Sequence, residues 1–166
     1  MKGPAARIAE IGVVAAGYAA LTIYLAPLSY GQLQLRVAEI LKPLVIWEPQ
    51  LIPAFVIGNF LSNLRSPFVG PWELGWMPFA NLVGAVVCWR LGRLNAYLGA
   101  AAYAVIIAAA VATMLSVILP GPFKAIFPLV LASELAVLLA GVPVMAVVHT
   151  ALRRARGALP GTVRAR

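Results

Sequence analysis

The sequence has five acidic residues, all glutamates, and three of them stand where a carboxylate needs a reason. Glu134 lies about 11 residues into a long apolar run, or roughly 16 Å at 1.5 Å per residue. A charge at that depth in hydrocarbon costs on the order of 2.5 to 3.5 kcal/mol, so it should face a cavity or a partner. Glu39 follows Arg36 by three residues, so the two share a helical face and either pair with each other or line a polar cavity. Asn59, Ser62, Asn63 and Ser66 recur at i, i+3, i+4 and i+7, which puts all four on one face of a helix. Within lipid that face serves either interhelical hydrogen bonds or a ligand wall. Glu73 adds a third carboxylate, and Tyr30, Trp72 and Trp76 offer flat aromatic faces, although each aromatic taken singly also fits an interfacial belt. Such a set suits a planar ligand that is cationic or donates hydrogen bonds.

Signs of catalysis are missing. There is no aspartate, no GxxxxGK[ST] phosphate loop and a single histidine, His149, expected to interact with the C-terminal end of its helix. No catalytic, metal-binding or cofactor-binding set emerges, and the lone Cys88 reads as a small packed residue. These residues point to binding and transport rather than to an enzyme.

The elements that must position them are membrane helices. Hydrophobic residues make up 63% of the 166 positions and charged residues 11%, against about 25% charged in ordinary soluble domains. An integral all-α membrane domain spanning residues 1–166 is expected, with about six transmembrane helices in one bundle. Breaks at Pro, Gly and Ser place the spans near 6–26, 32–47, 51–64, 74–89, 95–119 and 123–152, the second short and partly polar. Residues 153–166 read as a basic, disordered cytoplasmic tail near anionic lipid. The net charge of +8 is not gathered into a soluble patch, so nucleic acid is not an expected partner.

With both termini cytoplasmic, the inner side collects Lys2, Arg7, Lys42, Arg90, Arg93, Arg153, Arg154, Arg156, Arg164 and Arg166, leaving Arg36, Arg65 and Lys124 outside. That bias fits the excess of Lys and Arg in cytoplasmic loops. Trp72 and Trp76 then lie near the outer interface and Trp47 and Trp89 near the inner one, while Glu10 and Glu48 sit at the inner edge. The expected location is a prokaryotic plasma membrane, crossed several times.

Small residues recur at every fourth position in two spans: Gly12, Ala16 and Ala20, beside Ala15 and Ala19, in the first, and Ala100, Ala104, Ala108, Ala112 and Ser116 in the fifth. Such stripes let helix backbones approach closely. The fifth-span stripe reads as internal packing; the first-span stripe serves either packing or docking onto another membrane protein.

The segment LAPLSYGQLQLRVAEIL at 25–41 resembles the QueT family of queuosine-precursor transporters, which carry a similar loop and a Q-x-R-[IV]-x-E motif there. The likeness continues through GNFLSNLRSP at 58–67 and SELAVLLAGVP at 133–143. It departs where WELGWMPFAN at 72–81 replaces a stretch usually bearing an aspartate, and at GPFKAIF before the last helix. The resemblance implies an S component of an energy-coupling-factor transporter, a substrate-binding subunit that docks on a coupling membrane protein driven by two ABC-type ATPases. It further implies a deazaguanine ligand, docking through Gly12, Ala15, Ala16, Ala19 and Ala20, and pocket roles for Gln34, Arg36, Glu39, Asn63 and Glu134. Binding of another vitamin or base, a structural role in a membrane complex and proton-coupled transport through Glu134 are the competing readings.

Overall fold

The computed structural model describes residues 3–30 and 35–158, and every regular element among them is helical. Helix α1 (Pro4–Tyr24) opens on a proline in its first turn, where no N–H is missed, and a single turn α2 (Ala26–Ser29) follows. Next comes a 3-10 helix over Val37–Ile46, a short 3-10 turn at Pro49–Leu51, and α3 (Ile52–Asn63). A π-helical turn at Trp72–Trp76 runs directly into α4 (Met77–Gly92). The Asn95 side chain caps α5 (Ala96–Ile118), accepting from the N–H groups of Tyr97 and Leu98 at 2.9 and 3.1 Å. Helix α6 (Phe123–Ala158) is the longest.

Four stretches are long and apolar enough to cross a bilayer: Pro4–Tyr24, Trp72–Gly92, Ala96–Ile118 and Phe123–Arg156. The protein is therefore an all-α membrane protein. The second and third expected spans are shorter elements: the 3-10 helix lies inside the bundle, whereas α3 buries one face and leaves Ile57, Phe60 and Leu61 exposed. At about 2.0 Å per residue, the ten-residue 3-10 helix reaches roughly 20 Å where an α-helix of equal length would reach about 15 Å. Stretching the backbone lets a short, proline-bearing segment extend across much of the interior. The sixth element runs past its expected end, so residues 153–158 of the basic tail are helical, and 159–166 lie outside the described residues.

The 3-10 helix is central: it packs on α6, α4, α1 and α5, while α5 lies against both α4 and α6, and α1 rests on α3. Close backbone approach makes this possible. A Cβ on Gly141 would sit 2.6 Å from the carbonyl oxygen of Ile40, and one on Gly99 would sit 2.5 Å from that of Cys88. Ala100, Ala104, Ala108 and Ala112 are fully buried, as expected of an internal stripe, and Cys88 is packed in the core. The first-span stripe divides: Ala15 and Ala19 are buried inside the bundle, which removes them from any docking face, whereas Gly12, Ala16 and Ala20 are exposed. The physical reason is helical geometry, since Ala15 and Ala19 occupy the side of α1 that packs inward.

Both ends of the bundle's chain meet on one face. Arg156, near the end of α6, bonds Glu10 of α1 at 2.7 Å and Glu48 at 2.8 and 3.0 Å. Glu10 and Glu48 thus share an edge, as expected. His149 departs from expectation: α6 continues beyond it, and its Nδ1 lies 2.9 Å from Glu48 while its ring stacks on Trp47 at 6.0 Å.

Candidate substrate-binding site

Away from the Arg156 end, polar side chains of several elements are buried in the bundle interior. Asn59, Ser62 and Asn63 of the α3 face are buried, as their spacing requires, and Ser66, expected on the same face, is buried too but lies in the connection beyond the end of α3. Asn63 donates to the Asn59 side chain at 3.3 Å and to the carbonyl of Glu73 at 3.0 Å, so the π turn is tied to α3. That turn directs Glu73 inward, fully buried, where Arg36 approaches it at 3.9 Å without a hydrogen bond. The Arg36 guanidinium also lies over the Tyr30 ring at 5.4 Å, and Tyr30 donates its hydroxyl proton to the carbonyl of Ser62 at 2.7 Å.

Deeper in the bundle, Glu39 meets two partners. One oxygen accepts from the Tyr18 hydroxyl at 2.6 Å, and the other pairs with Lys42. Lys42 in turn donates to Asn81 and lies 5.4 and 4.9 Å from the ring centroids of Tyr18 and Tyr103. Tyr103 bonds the Asn81 side chain at 3.2 Å. Glu39 therefore belongs to a closed internal network rather than pairing with Arg36. Glu134, 2% exposed on α6, lies within electrostatic reach of Glu39, Lys42 and Arg36.

Several polar atoms here are buried with no hydrogen-bond partner among the described residues: Nε and Nη2 of Arg36, Oε2 of Glu39, which has only its ion pair with Lys42, Nδ2 of Asn59, Oδ1 of Asn63, both oxygens of Glu73 and Oε2 of Glu134. Leaving such groups unpaired costs about 1 to 3 kcal/mol each, more when charged, and native interiors rarely tolerate it without a function. The set contains donors and acceptors on facing elements. As formal charges, three buried carboxylates, Glu39, Glu73 and Glu134, oppose two buried cations, Arg36 and Lys42. A ligand with several donors and a positive charge is the complement of this arrangement.

Of the residues singled out in the sequence, Arg36, Asn59, Asn63 and Glu73 are linked by short contacts, and Glu134 lies within electrostatic reach of Arg36. Trp72 stands at the rim, 36% exposed and edge-to-face with Trp76 at 6.1 Å, and Gln34 lies outside the described residues. Tyr18, Lys42, Asn81 and Tyr103 were not anticipated. Lys42, expected among the cytoplasmic cations, is instead wholly buried, and Arg36, expected outside, is buried too. A strict period of three at 36, 39 and 42 is the signal that could have found it, because such residues eclipse on one face of a 3-10 helix. Without these two, Lys2, Arg7, Arg90, Arg93, Arg153, Arg154, Arg156, Arg164 and Arg166 still outnumber Arg65 and Lys124.

No curated protein and no solved structure matches the chain. The sequence profile described as QueT transporter matches residues 8–150, from the start of α1 through the buried 3-10 helix and Glu134 to the last turns of α6. Over nearly its whole length, then, this membrane protein carries the pattern of one transporter family, and it belongs to the QueT transporter family.

Proposed function

We propose that the chain is the membrane substrate-binding subunit for uptake of a queuosine precursor, a deazaguanine, energised by a coupling membrane protein and two ABC-type ATPases. The observation that carries this reading is the group of buried, unpaired polar atoms on Arg36, Asn59, Asn63, Glu73 and Glu134. A deazaguanine presents neighbouring ring and exocyclic N–H donors that one carboxylate accepts as a pair, and a ring carbonyl that a guanidinium or amide N–H satisfies. Glu73 or Glu134 takes the donor edge, and Arg36 with Asn59 takes the acceptors. An aminomethyl substituent adds a cation that offsets the excess of buried carboxylate. Tyr30 contributes a flat apolar face beside Arg36.

Family membership supports the transport role, and the resemblance to energy-coupling-factor S components supplies the coupling protein and ATPases. The exposed side of α1 bearing Gly12, Ala16 and Ala20 is the docking face in this reading, with its small side chains permitting close backbone approach. Cytoplasmic termini put the Arg36–Glu73 end of the site toward the outside, from which the ligand enters.

The test is ligand identification on the detergent-purified chain by mass spectrometry, followed by thermal unfolding with added aminomethyl- and cyano-deazaguanine. A bound deazaguanine and a rise in the unfolding midpoint are expected. A different co-purified base or vitamin, with no shift by either deazaguanine, would overturn the substrate assignment.

A further inference from the structure

On the termini side of the bundle, α1 and α6 diverge. Helix α1 packs on α3 and the 3-10 helix and α6 on α5 and the 3-10 helix, which leaves a groove of about 500 Å³ between them. Its walls include Val13 and Gly17 of α1, Leu44 from the 3-10 helix, and Met145, Val148 and Leu152 of α6. Eight helical steps from Ala9 to Gly17 give it a length of roughly 12 Å along the membrane-spanning direction. The acid in the wall, Glu10, is bonded by Arg156, so the lining offers an occupant almost pure hydrocarbon.

The ends of the groove differ in chemistry. Arg156 crosses from α6 to Glu10 and Glu48 and bars the inner end, and two exposed arginines adjoin this end in sequence: Arg7, one turn before Glu10, and Arg153, next to Leu152 and one turn before Arg156. An apolar slot beneath a cationic rim fits a molecule with a long hydrocarbon tail and an anionic head. We propose that this groove binds one anionic phospholipid, with an acyl chain lying between α1 and α6 and the phosphate held by Arg7 and Arg153. A transmembrane helix is a poorer occupant, because it would have to run past the inner end of the groove, which the Glu10–Arg156 bridge closes.

Native mass spectrometry of the full chain, released from nanodiscs holding equal parts phosphatidylglycerol and phosphatidylcholine, tests this. One retained phosphatidylglycerol per chain is expected. Each basic residue at a membrane surface favours anionic lipid by about fivefold, so Arg7→Gln with Arg153→Gln should lower the preference on the order of 30-fold. A Cβ on Gly17 meets nothing within 4 Å, so Gly17→Phe can fill the slot and should abolish lipid retention. Should that variant fail to fold, a photo-crosslinking residue at the exposed Val13 gives an independent reading, with labelling of a phospholipid chain expected. Equal retention of both lipids by the parent chain, unchanged retention in Gly17→Phe, or crosslinking from Val13 to a protein in place of lipid would each overturn the proposal.

Discussion

Glu39 and Glu134 lie in the same membrane interior but differ in what they lack. Glu39 accepts from Tyr18 through one oxygen and forms an ion pair with Lys42 through the other, whereas Oε2 of Glu134 has neither a hydrogen bond nor an ion pair among the described residues. Removing one member of a buried ion pair strands the other charge and costs about 3 to 5 kcal/mol. Glu39→Gln and Lys42→Met should therefore each lower the thermal midpoint sharply, and the double substitution should recover much of the loss. A double-mutant cycle by thermal unfolding checks this; additive losses would mean that the two residues are not coupled. The asparagine face was legible because it lies on an α-helix and obeys its period. Lys42 was not, because a lysine flanked by prolines and apolar residues reads as a loop charge unless the 3-10 period is recognised.

At the scale of elements, the 3-10 helix is held by α6 through Gly141, where a Cβ would fall 2.6 Å from the Ile40 carbonyl and 3.1 Å from Pro43. A methyl group there has rigid backbone on its far side. Gly141→Ala should push α6 from the 3-10 helix and destabilise by about 1 to 3 kcal/mol, as overpacking does. Gly12→Ala is the control, since its Cβ meets nothing within 4 Å, and its unfolding midpoint should stay close to the parent's. Equal midpoints for the two variants would contradict this packing. The long helices were readable because an uncharged run of 20 or so residues has few alternatives in lipid. The 3-10 and π geometries were not, because hydropathy carries no information on which carbonyl an N–H selects. The expected length of the last helix also fell short, since arginines after Leu152 read as a solvated tail, whereas Arg156 finds Glu10 and Glu48.

For the whole molecule, the Glu10–Arg156 bond brings the first and last helices' termini-side ends to one face, and from the charge bias we propose that this face is cytoplasmic. On a Cys88→Ala background, a cysteine placed after Arg153 should resist a membrane-impermeant reagent in intact cells and react once the cells are opened. Labelling from outside would invert the topology and turn the binding site inward. Docking belongs to the same scale: Ala16→Leu with Ala20→Leu, on exposed α1 positions, should abolish co-purification with a coupling protein while leaving ligand affinity unchanged. Loss of ligand binding instead would mean that this face packs internally. Calorimetric titration of the purified chain with aminomethyl-deazaguanine tests most directly the proposal that the interior of this bundle holds a deazaguanine through Glu73 and Glu134, which carry buried oxygens with no hydrogen-bond partner among the described residues. Saturable one-to-one binding is expected, weakened on the order of 10- to 100-fold in both Glu73→Gln and Glu134→Gln, since hydrogen bonds to charged groups contribute about 1.5 to 3 kcal/mol. Binding by the parent chain with affinity unchanged in both variants would contradict the claim.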